Sequence, residues 1–437
     1  MSTQVAAIHP EAPLLTQRRV FFFWLPLAAS WLLMGSEMPF VSAMLARLNE
    51  AERMIAAFGI VASLSITIES PIIMLLATST ALARSRQNYF MLRRFTWHLM
   101  LGTTLIHALV SWTPLFDVVV RDWMGVPASL LEPVRLGMRL MLPWSAAIAW
   151  RRFKQGVMIR YGRTHFVGQG TIVRLIVSAG TAAALALLGR VPGIAVGTLA
   201  LSLGVVVEAG YAEWVGRRLI ADKFGSSATT PQPDLSYGEL VRFHSPLAAS
   251  TLLFLLTQPL VSAALARLPN PELVLAAWPV TAGLLFITRS PALALPEVVI
   301  ALMDEQGSAQ ALRQFCFRIG VTCAGVLALL SFTPLAYFYF RGLIGVRETL
   351  AELAMTGAQF GVLLPLIIGW QSWLRGLLTA RRATLPLTIA MSLNLATMAV
   401  ALTVGVLLRA PGVELAALAL TLSIGAETVV LWVAARR

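Results

Sequence analysis

The segment from Pro39 to Leu48 reads PFVSAMLARL, and the segment from Pro259 to Leu268 reads PLVSAALARL. The two segments start 220 residues apart, and each lies at the end of a long apolar run. This spacing recurs along most of the chain, which indicates a duplicated unit. Further pairs with the same spacing are PLAAS at 26–30 and 246–250, Ser70-Pro71 and Ser290-Pro291, and Trp150 and Trp370.

The composition is that of a membrane protein. Hydrophobic residues make up 57% of the chain, charged residues 13%, and the mean hydropathy is +0.76, whereas about a quarter of a soluble domain is charged. The 437 residues fit about twelve spans of roughly 20 residues joined by short loops. The apolar runs predict spans at 20–45, 54–82, 95–118, 134–159, 166–188, 193–216, 240–267, 272–303, 312–340, 348–379, 384–408 and 411–435.

The duplication predicts an all-α polytopic fold with two six-helix lobes. Six spans are an even number, so both copies enter the membrane in the same orientation and are related by a pseudo-two-fold axis along its normal. We expect an N-terminal lobe at 1–216, a polar linker at 217–238 and a C-terminal lobe at 239–437.

The net charge of +13 does not point to nucleic acid, because the basic residues are spread over loop after loop. Arginine and lysine are more numerous in the loops on the side of the N-terminus, which predicts that both termini and the linker are cytoplasmic. The first apolar run leads directly into a full-length span, so we expect no cleavable signal. The predicted location is the plasma membrane, or the inner membrane of a bacterium.

Ionisable residues within the spans are the candidates for function, because a charge near the bilayer centre costs about 2.5–3.5 kcal/mol on insertion scales. Glu69 and Arg289 occupy equivalent places, in Glu-Ser-Pro and Arg-Ser-Pro, and we expect them to face each other across a central cleft as a gate or substrate anchor. Glu37 lies in span 1; its equivalent is Thr257, beside Gln258. We interpret Glu37 and Gln258 as substrate or ion contacts. The alternative for each residue is a fixed structural role.

Basic residues on spans 4 and 10 predict a lining that suits anions. Arg151, Lys154 and Gln155 share one helix face through their three- and four-residue spacing, and Arg375 shares the equivalent face with Gln371. The alternative is that these side chains snorkel to the cytoplasmic interface.

Four further polar residues within the spans form two equivalent pairs. Glu208 and Glu427, with Arg174 and Asn394, are interpreted as structural contacts within each lobe. His107, alone in its repeat, is interpreted as a packed, hydrogen-bonded histidine.

The sequence carries no signature of an enzyme, a nucleotide-binding loop or a metal site. Its two cysteines, Cys316 and Cys323, lie in one predicted span and are interpreted as packing residues. We therefore expect no catalytic activity, no cofactor and no resident metal.

Several short motifs resemble a known superfamily. The charged loop 84–88 lacks the glycine and aspartate of the major facilitator superfamily. The chain resembles instead the multidrug/oligosaccharidyl-lipid/polysaccharide (MOP) superfamily, which includes the MATE exporters, and within it the progressive ankylosis protein family most closely. The resemblance rests on Pro26-Leu27, Gly35-Ser36-Glu37, Ala57-Phe58-Gly59, Ser70-Pro71, Pro143 with Ala149-Trp150, Phe166-Val167-Gly168, Trp278-Pro279-Val280 and Ala426-Glu427.

This resemblance implies a V-shaped pair of lobes, alternating access and export of organic anions such as citrate, nucleotides or pyrophosphate. The first hypothesis is therefore a secondary exporter of small organic anions, coupled to H⁺ or Na⁺. The alternatives are a MATE-type antiporter for cationic drugs, a flippase for a lipid-linked molecule and a membrane scaffold. An opening between spans 1 and 8 would favour the flippase. We expect a monomer whose partners are its substrate and membrane lipids.

Overall fold

A computed structural model describes residues 15–224, 235–303, 305, 307–381, 383 and 385–436. The described residues before position 225 are called the N-terminal half, and those after position 234 the C-terminal half. The N-terminal half is helical throughout. Its elements are α1 Gln17–Leu45, α2 Ala51–Ile68, α3 Ser70–Ile73, α4 Leu75–Leu82, α5 Arg86–Trp112, a π-helix Asp117–Trp123, α6 Ala128–Leu140, α7 Leu142–Arg160, α8 Thr164–Leu188 and α9 Gly193–Phe224.

The C-terminal half repeats this order. Its elements are α10 Tyr237–Leu255, α11 Thr257–Leu265, α12 Pro271–Leu293, α13 Leu295–Leu302, α14 Ser308–Phe332, α15 Leu335–Tyr337, a π-helix Phe338–Ile344, α16 Glu348–Phe360, α17 Leu364–Ala380, α18 Leu385–Leu407 and α19 Gly412–Arg436.

The all-α polytopic fold is confirmed, with twelve helical segments in chain order. Within the described ranges, nine are long and apolar enough to cross a membrane, and two bent pairs raise the number to eleven. These pairs are α5 with its π-helix, bent by 63°, and α16 with α17, bent by 42°. The twelfth segment is α6 with α7. Its arginines and Lys154 make it too charged for the same criterion, although most of them are buried or half-buried inside the protein.

Backbone geometry repeats with the sequence spacing. Among the described residues, three that are not glycine have positive φ: Glu50 and Asn270, both at 53°, and Arg409, also at 53°. Glu50 and Asn270 are 220 residues apart, and Arg409 lies 220 residues after Gly189, which has φ of 61°. Left-handed residues are energetically unfavourable unless the fold requires them, so equivalent turns impose the same geometry in both halves.

Two arginines join the halves at the end of the molecule away from the termini. Arg47 donates to the carbonyls of Ile344, at 2.8 Å, and Leu343, at 2.9 Å. Its equivalent, Arg267, donates to the carbonyls of Met124, at 2.8 Å, and Trp123. Each arginine thus caps the end of the other half's π-helix, where carbonyls lack intrahelical partners. These reciprocal contacts are those that a pseudo-two-fold axis produces.

A second reciprocal pair lies nearer the termini. Trp24 Nε1 donates to the carbonyl of Pro291 at 2.9 Å, and the equivalent His244 Nε2 contacts the carbonyl of Pro71 at 2.9 Å. Each proline lies three residues before a break in the helix, at Met74 after Pro71 and at Ala294 after Pro291. Proline removes the amide that would continue the helix, and the freed region is bound by the first helix of the opposite half.

Helices extend into both ends of the predicted linker. Helix α9 continues to Phe224, and α10 begins at Tyr237, so both ends of the segment 217–238 are helical. The described residues omit 225–234. Position 384, the predicted start of span 11, is also outside them. The division into an N-terminal lobe at 1–216 and a C-terminal lobe at 239–437 stays a prediction.

Candidate functional site

A buried network of charges surrounds Glu208 in the N-terminal half. Its Oε2 accepts from Arg151 at 2.5 Å, and its Oε1 accepts from Gln155 Nε2 at 3.1 Å. Arg174 Nε lies 3.8 Å from the same carboxylate. The Glu208 side chain is 0% exposed and those of Arg151 and Arg174 are 5% and 6% exposed. In so dry a position a carboxylate stays ionised only when several donors compensate it.

Glu37 extends this network from α1. Its Oε2 lies 3.3 Å from Arg174 Nη2, and its Oε1 accepts from Ser178 at 2.8 Å. Arg174 therefore lies between two glutamates, one on α1 and one on α9. Since α1 also contacts the C-terminal half through Trp24, the network connects the interior of one half with the interface between the two.

The C-terminal half carries a smaller version of the cluster. Glu427, equivalent to Glu208, accepts from Arg375 and, at 2.8 Å, from Asn394. Asn394 stands where the N-terminal half has Arg174. The Arg375 side chain is 30% exposed and that of Glu427 is 3% exposed, so this pair is reached by solvent on the arginine side.

Arginine and glutamine exchange places between the halves. Arg151 and Gln155 lie on one face of α7, and the equivalent positions in α17 are Gln371 and Arg375. The two positions are one turn apart, so an arginine at either one reaches the glutamate of the sixth span. Both arginines contact the glutamate of the sixth span in their own half, a partner that the sequence analysis did not predict.

Lys154 is also occupied. Its Nζ forms an ion pair with Glu213 at 2.9 Å and donates to Tyr89 Oη at 3.0 Å. The ammonium lies over the rings of Trp150, at 5.1 Å, and Phe153, at 5.7 Å, an arrangement that stabilises a cation. Arg151, Lys154 and Arg375 each have a glutamate partner in this conformation, and their predicted role in an anion-binding lining stays a prediction.

The expected contact between Glu69 and Arg289 is absent. Glu69 is 0% exposed and contacts Ser145 Oγ at 3.0 Å, inside its own half. Its Oε2 is buried and has no hydrogen-bond partner among the described residues. Glu69 ends α2, and Ser145 is in the first turns of α7, so helix packing within the N-terminal half positions the carboxyl group. The predicted roles of Glu69 and Arg289 in gating or substrate binding stay predictions.

Two half-buried arginines in the described spans have neither a carboxylate partner nor a side-chain hydrogen bond. Arg289 is half-buried, and its guanidinium lies over the Phe286 ring at 5.4 Å. Arg152 is half-buried, and its charged neighbours are Arg151, Glu208, Arg174 and Glu69. In both arginines Nε is buried without a hydrogen-bond partner. The sequence analysis missed Arg152; its position beside Arg151 was the available signal.

The remaining candidates have simpler surroundings. Gln258 is half-buried just after the break between α10 and α11 and makes no side-chain hydrogen bond to a described residue. His107 is buried and hydrogen-bonded, as expected. Cys316 and Cys323 are buried free thiols. Within the described residues, no group of histidine, cysteine and acidic side chains has metal-binding geometry.

Solved structures share this arrangement of helices over almost the whole chain. A structure described as the inward-facing conformation of a multidrug resistance MATE family transporter of the MOP superfamily superposes with a TM-score of 0.69 at 13% identity, covering 95% of this chain and 97% of that one. The protein has the MOP-superfamily fold. The lipid II flippase MurJ, in an inward closed conformation, gives a TM-score of 0.71 at 10% identity, covering 96% of this chain and 87% of MurJ.

A third similar structure is a MOP superfamily transporter from Pyrococcus furiosus, with a TM-score of 0.64 and 15% identity over 96% of this chain and 95% of that one. No family model and no curated protein matches the sequence. The similar solved structures confirm the predicted MATE-like fold. The closer resemblance to the progressive ankylosis protein family stays a prediction.

Proposed function

We propose that this protein is a secondary transporter that exports small organic anions by alternating access. The observation that carries the proposal is the pairing of charges within the described spans. Arg152 and Arg289 have no acidic partner, whereas Glu37, Glu208 and Glu427 are all ion-paired. A half-buried guanidinium without a counter-ion is a binding group for a carboxylate or a phosphate.

The same pairing is unfavourable to a cationic drug. A cation needs a carboxylate whose charge is not already neutralised, and the ion-paired glutamates do not supply one in this conformation. Glu69 lacks an ion pair but is 0% exposed, and Glu297, which also lacks an ion pair, lies on the exposed surface of α13. The similar transporter from Pyrococcus furiosus is described as having a binding pocket of reverse polarity that suggests a different function, so the MOP-superfamily fold accommodates pockets of different charge.

Alternating access is supported by the reciprocal contacts between the halves. The caps formed by Arg47 and Arg267 join the halves on the side away from the termini, and hydrogen bonds of this kind must break for that side to open. We propose that the halves act as two lobes and that a proton or sodium gradient drives the cycle. Both termini are proposed to be cytoplasmic, which makes the joined side external.

The flippase alternative has less support. It required an opening between the first and eighth spans, but α1 and α12 are in contact: Trp24 donates to Pro291, and a Cβ on Gly35 would lie 2.9 Å from the Phe286 ring. The closely packed interface leaves no lateral path for a lipid between these helices in this conformation.

Reconstituted liposomes give the direct test. Purified protein is incorporated into vesicles loaded separately with citrate, a nucleotide, pyrophosphate or a cationic dye, and efflux is followed after a pH or sodium gradient is imposed. We expect gradient-dependent efflux of at least one anion and none of the dye. Dye efflux without anion efflux would establish the antiporter instead.

A matched pair of variants separates the site from general damage. Arg289→Gln removes the unpaired charge within α12, whereas Arg318→Gln removes an exposed arginine from α14. Anion efflux should fall strongly in the first variant and stay at the wild-type level in the second. Equal efflux in both would show that the α12 charge does not bind substrate.

A further inference from the structure

Three side chains from three helices form a buried chain of hydrogen bonds in the N-terminal half. Glu69 Oε1 and Ser145 Oγ are 3.0 Å apart, and Ser145 Oγ and His107 Nδ1 are 2.9 Å apart. His107 Nε2 lies 3.0 Å from the carbonyl oxygen of Met138. All three side chains belong to residues that are 0% exposed.

The number of protons needed by this chain follows from its donors and acceptors. The Met138 carbonyl can only accept, so His107 Nε2 must carry a hydrogen. A neutral imidazole then has none on Nδ1, which must accept from Ser145. The single hydroxyl hydrogen of Ser145 is thereby used, and the contact between Ser145 and Glu69 requires a hydrogen on the glutamate. Donation then runs in one direction, from Glu69 through Ser145 and His107 to Met138.

The chain cannot be completed with an ionised glutamate beside a neutral histidine. Ser145 would have to donate to the carboxylate, and one of the two contacts of His107 would lose its hydrogen. A complete chain with an ionised Glu69 requires a protonated His107 instead. Both complete arrangements hold one more proton than the broken one, and unmade buried hydrogen bonds are costly.

The second oxygen of Glu69 favours the neutral acid of these two arrangements. Glu69 Oε2 is buried without a hydrogen-bond partner among the described residues. An unpartnered oxygen costs less in a carboxylic acid than in a carboxylate, whose charge needs compensation.

The charged groups around the chain are few. Arg151 and Arg152 of α7 are the charged neighbours of Glu69, and Arg151 is already paired with Glu208. His244 Nε2 of α10 lies 2.9 Å from the carbonyl oxygen of the adjacent Pro71. Arg139 of α6 contacts the carbonyl of Ser111, one turn beyond His107. Arg152, as the unpaired cation, is the group that would stabilise the carboxylate after the proton leaves.

The fold itself does not require this chain. The equivalent positions in the C-terminal half are Arg289, Leu327 and Pro365, which cannot form it, and yet that half has the same order of helices. Ionisable groups kept inside a membrane protein without a structural need are candidates for function.

We propose that Glu69, Ser145 and His107 form a binding site for one transported proton. The site deepens the proposed function, on which its role in transport rests, by making the coupling ion a proton. In this conformation the proton is on Glu69. Its release leaves one hydrogen bond of His107 unmade and so loosens the contact of α5 with α6 or α7, which links proton binding to helix position.

Infrared difference spectroscopy tests the site without any substrate. A protonated carboxyl group has a carbonyl stretching band that an ionised carboxylate lacks, and the band shifts in D₂O. The wild-type protein in vesicles at neutral pH should show this band, and Glu69→Gln should lose it. Glu427→Gln, which removes an ion-paired glutamate of the other half, is the control and should keep the band.

Two further variants cover a failure of Glu69→Gln to fold. Glu69→Asp should move the band, and His107→Leu, which introduces the residue found at the equivalent Leu327, should shift it without removing it. A wild-type spectrum without the band, or a band unaffected by changes at Glu69, would overturn the proton site. Either result leaves anion export intact, whereas absence of anion efflux with the band present would overturn the proposed function alone.

Discussion

The two halves share one helical plan but differ in how they hold charge. In the N-terminal half, Glu208 is surrounded by Arg151, Gln155 and Arg174, and Glu37 extends the network into α1. In the C-terminal half, Glu427 has only Arg375 and Asn394. The glutamate of the sixth span is common to both halves, so it belongs to the shared plan, and the groups around it are where the halves have diverged.

The difference has an energetic consequence, because one cluster is dry and the other reaches water. Breaking a buried ion pair leaves the remaining charge uncompensated, which costs more than the pair contributes. A partly exposed arginine loses less, since water and lipid headgroups replace its partner. The comparison between the halves therefore predicts unequal effects of equivalent substitutions.

The largest difference is expected between Glu208→Gln and Glu427→Gln. The first leaves Arg151 and Arg174 buried with one fewer carboxylate, and should destabilise the protein by about 3–5 kcal/mol. The second leaves the 30% exposed Arg375, for a loss of about 1 kcal/mol. Thermal unfolding in detergent measures both; equal shifts of the two midpoints would contradict the difference in burial.

Arg289→Gln should have the next largest effect, on transport rather than stability. A hydrogen bond to a charged group contributes about 1.5–3 kcal/mol, so apparent affinity for the anion should fall roughly ten- to a hundredfold. Concentration-dependent anion efflux from liposomes gives the change. Unaltered half-saturation would place anion binding elsewhere, and a lower unfolding midpoint would assign Arg289 a structural role.

Exchanging the arginine and glutamine within α7 sharpens the comparison. Arg151→Gln alone should cost about 3 kcal/mol. Adding Gln155→Arg gives the N-terminal half the pattern of the other half and should restore about half of that loss, since an arginine one turn away still reaches Glu208. The unfolding midpoints of the single and double variants decide this; a double variant less stable than the single would show that the halves are not interchangeable here.

The smallest effect is expected at the reciprocal caps, Arg47→Ala and Arg267→Ala. Each removes hydrogen bonds between the halves that contribute about 1 kcal/mol, shifting the population towards the state open on that side. Labelling of a cysteine introduced at position 129, on the same end, should increase to a similar extent in both variants. An increase in only one would show that the two caps do not act alike.

Much of the fold could be predicted from the sequence because duplication makes each half a check on the other. PFVSAMLARL and its repeat predicted that the two halves have the same order of helices, and the lengths of the apolar runs predicted the spans. The extension of α9 to Phe224 was not visible, since a helix that leaves the membrane loses the apolar pattern used to recognise it. The π-helical ends were missed because they differ from α-helix in hydrogen bonding, not in composition.

The site was predicted less well, for a physical reason. Spacing along one helix showed that Arg151 and Gln155 share a face, but not that both reach Glu208 on α9, which depends on packing between distant segments. Pseudo-symmetry suggested that Glu69 would meet Arg289, yet equivalent positions need not contact each other. Ser145 and Ser178 gave no signal, since serines are common in membrane helices and acquire meaning only from their partners.

In the proposed transport cycle, Glu69 of the N-terminal half holds a proton and Arg289 of the C-terminal half binds the anion. Liposomes that contain citrate and a pH-sensitive dye measure both quantities together. Wild-type protein should release citrate in response to a pH gradient while the internal pH changes; Glu69→Gln should uncouple the two, and Arg289→Gln should abolish citrate release. Citrate efflux that is driven by sodium at constant pH and is unchanged in both variants would contradict the account.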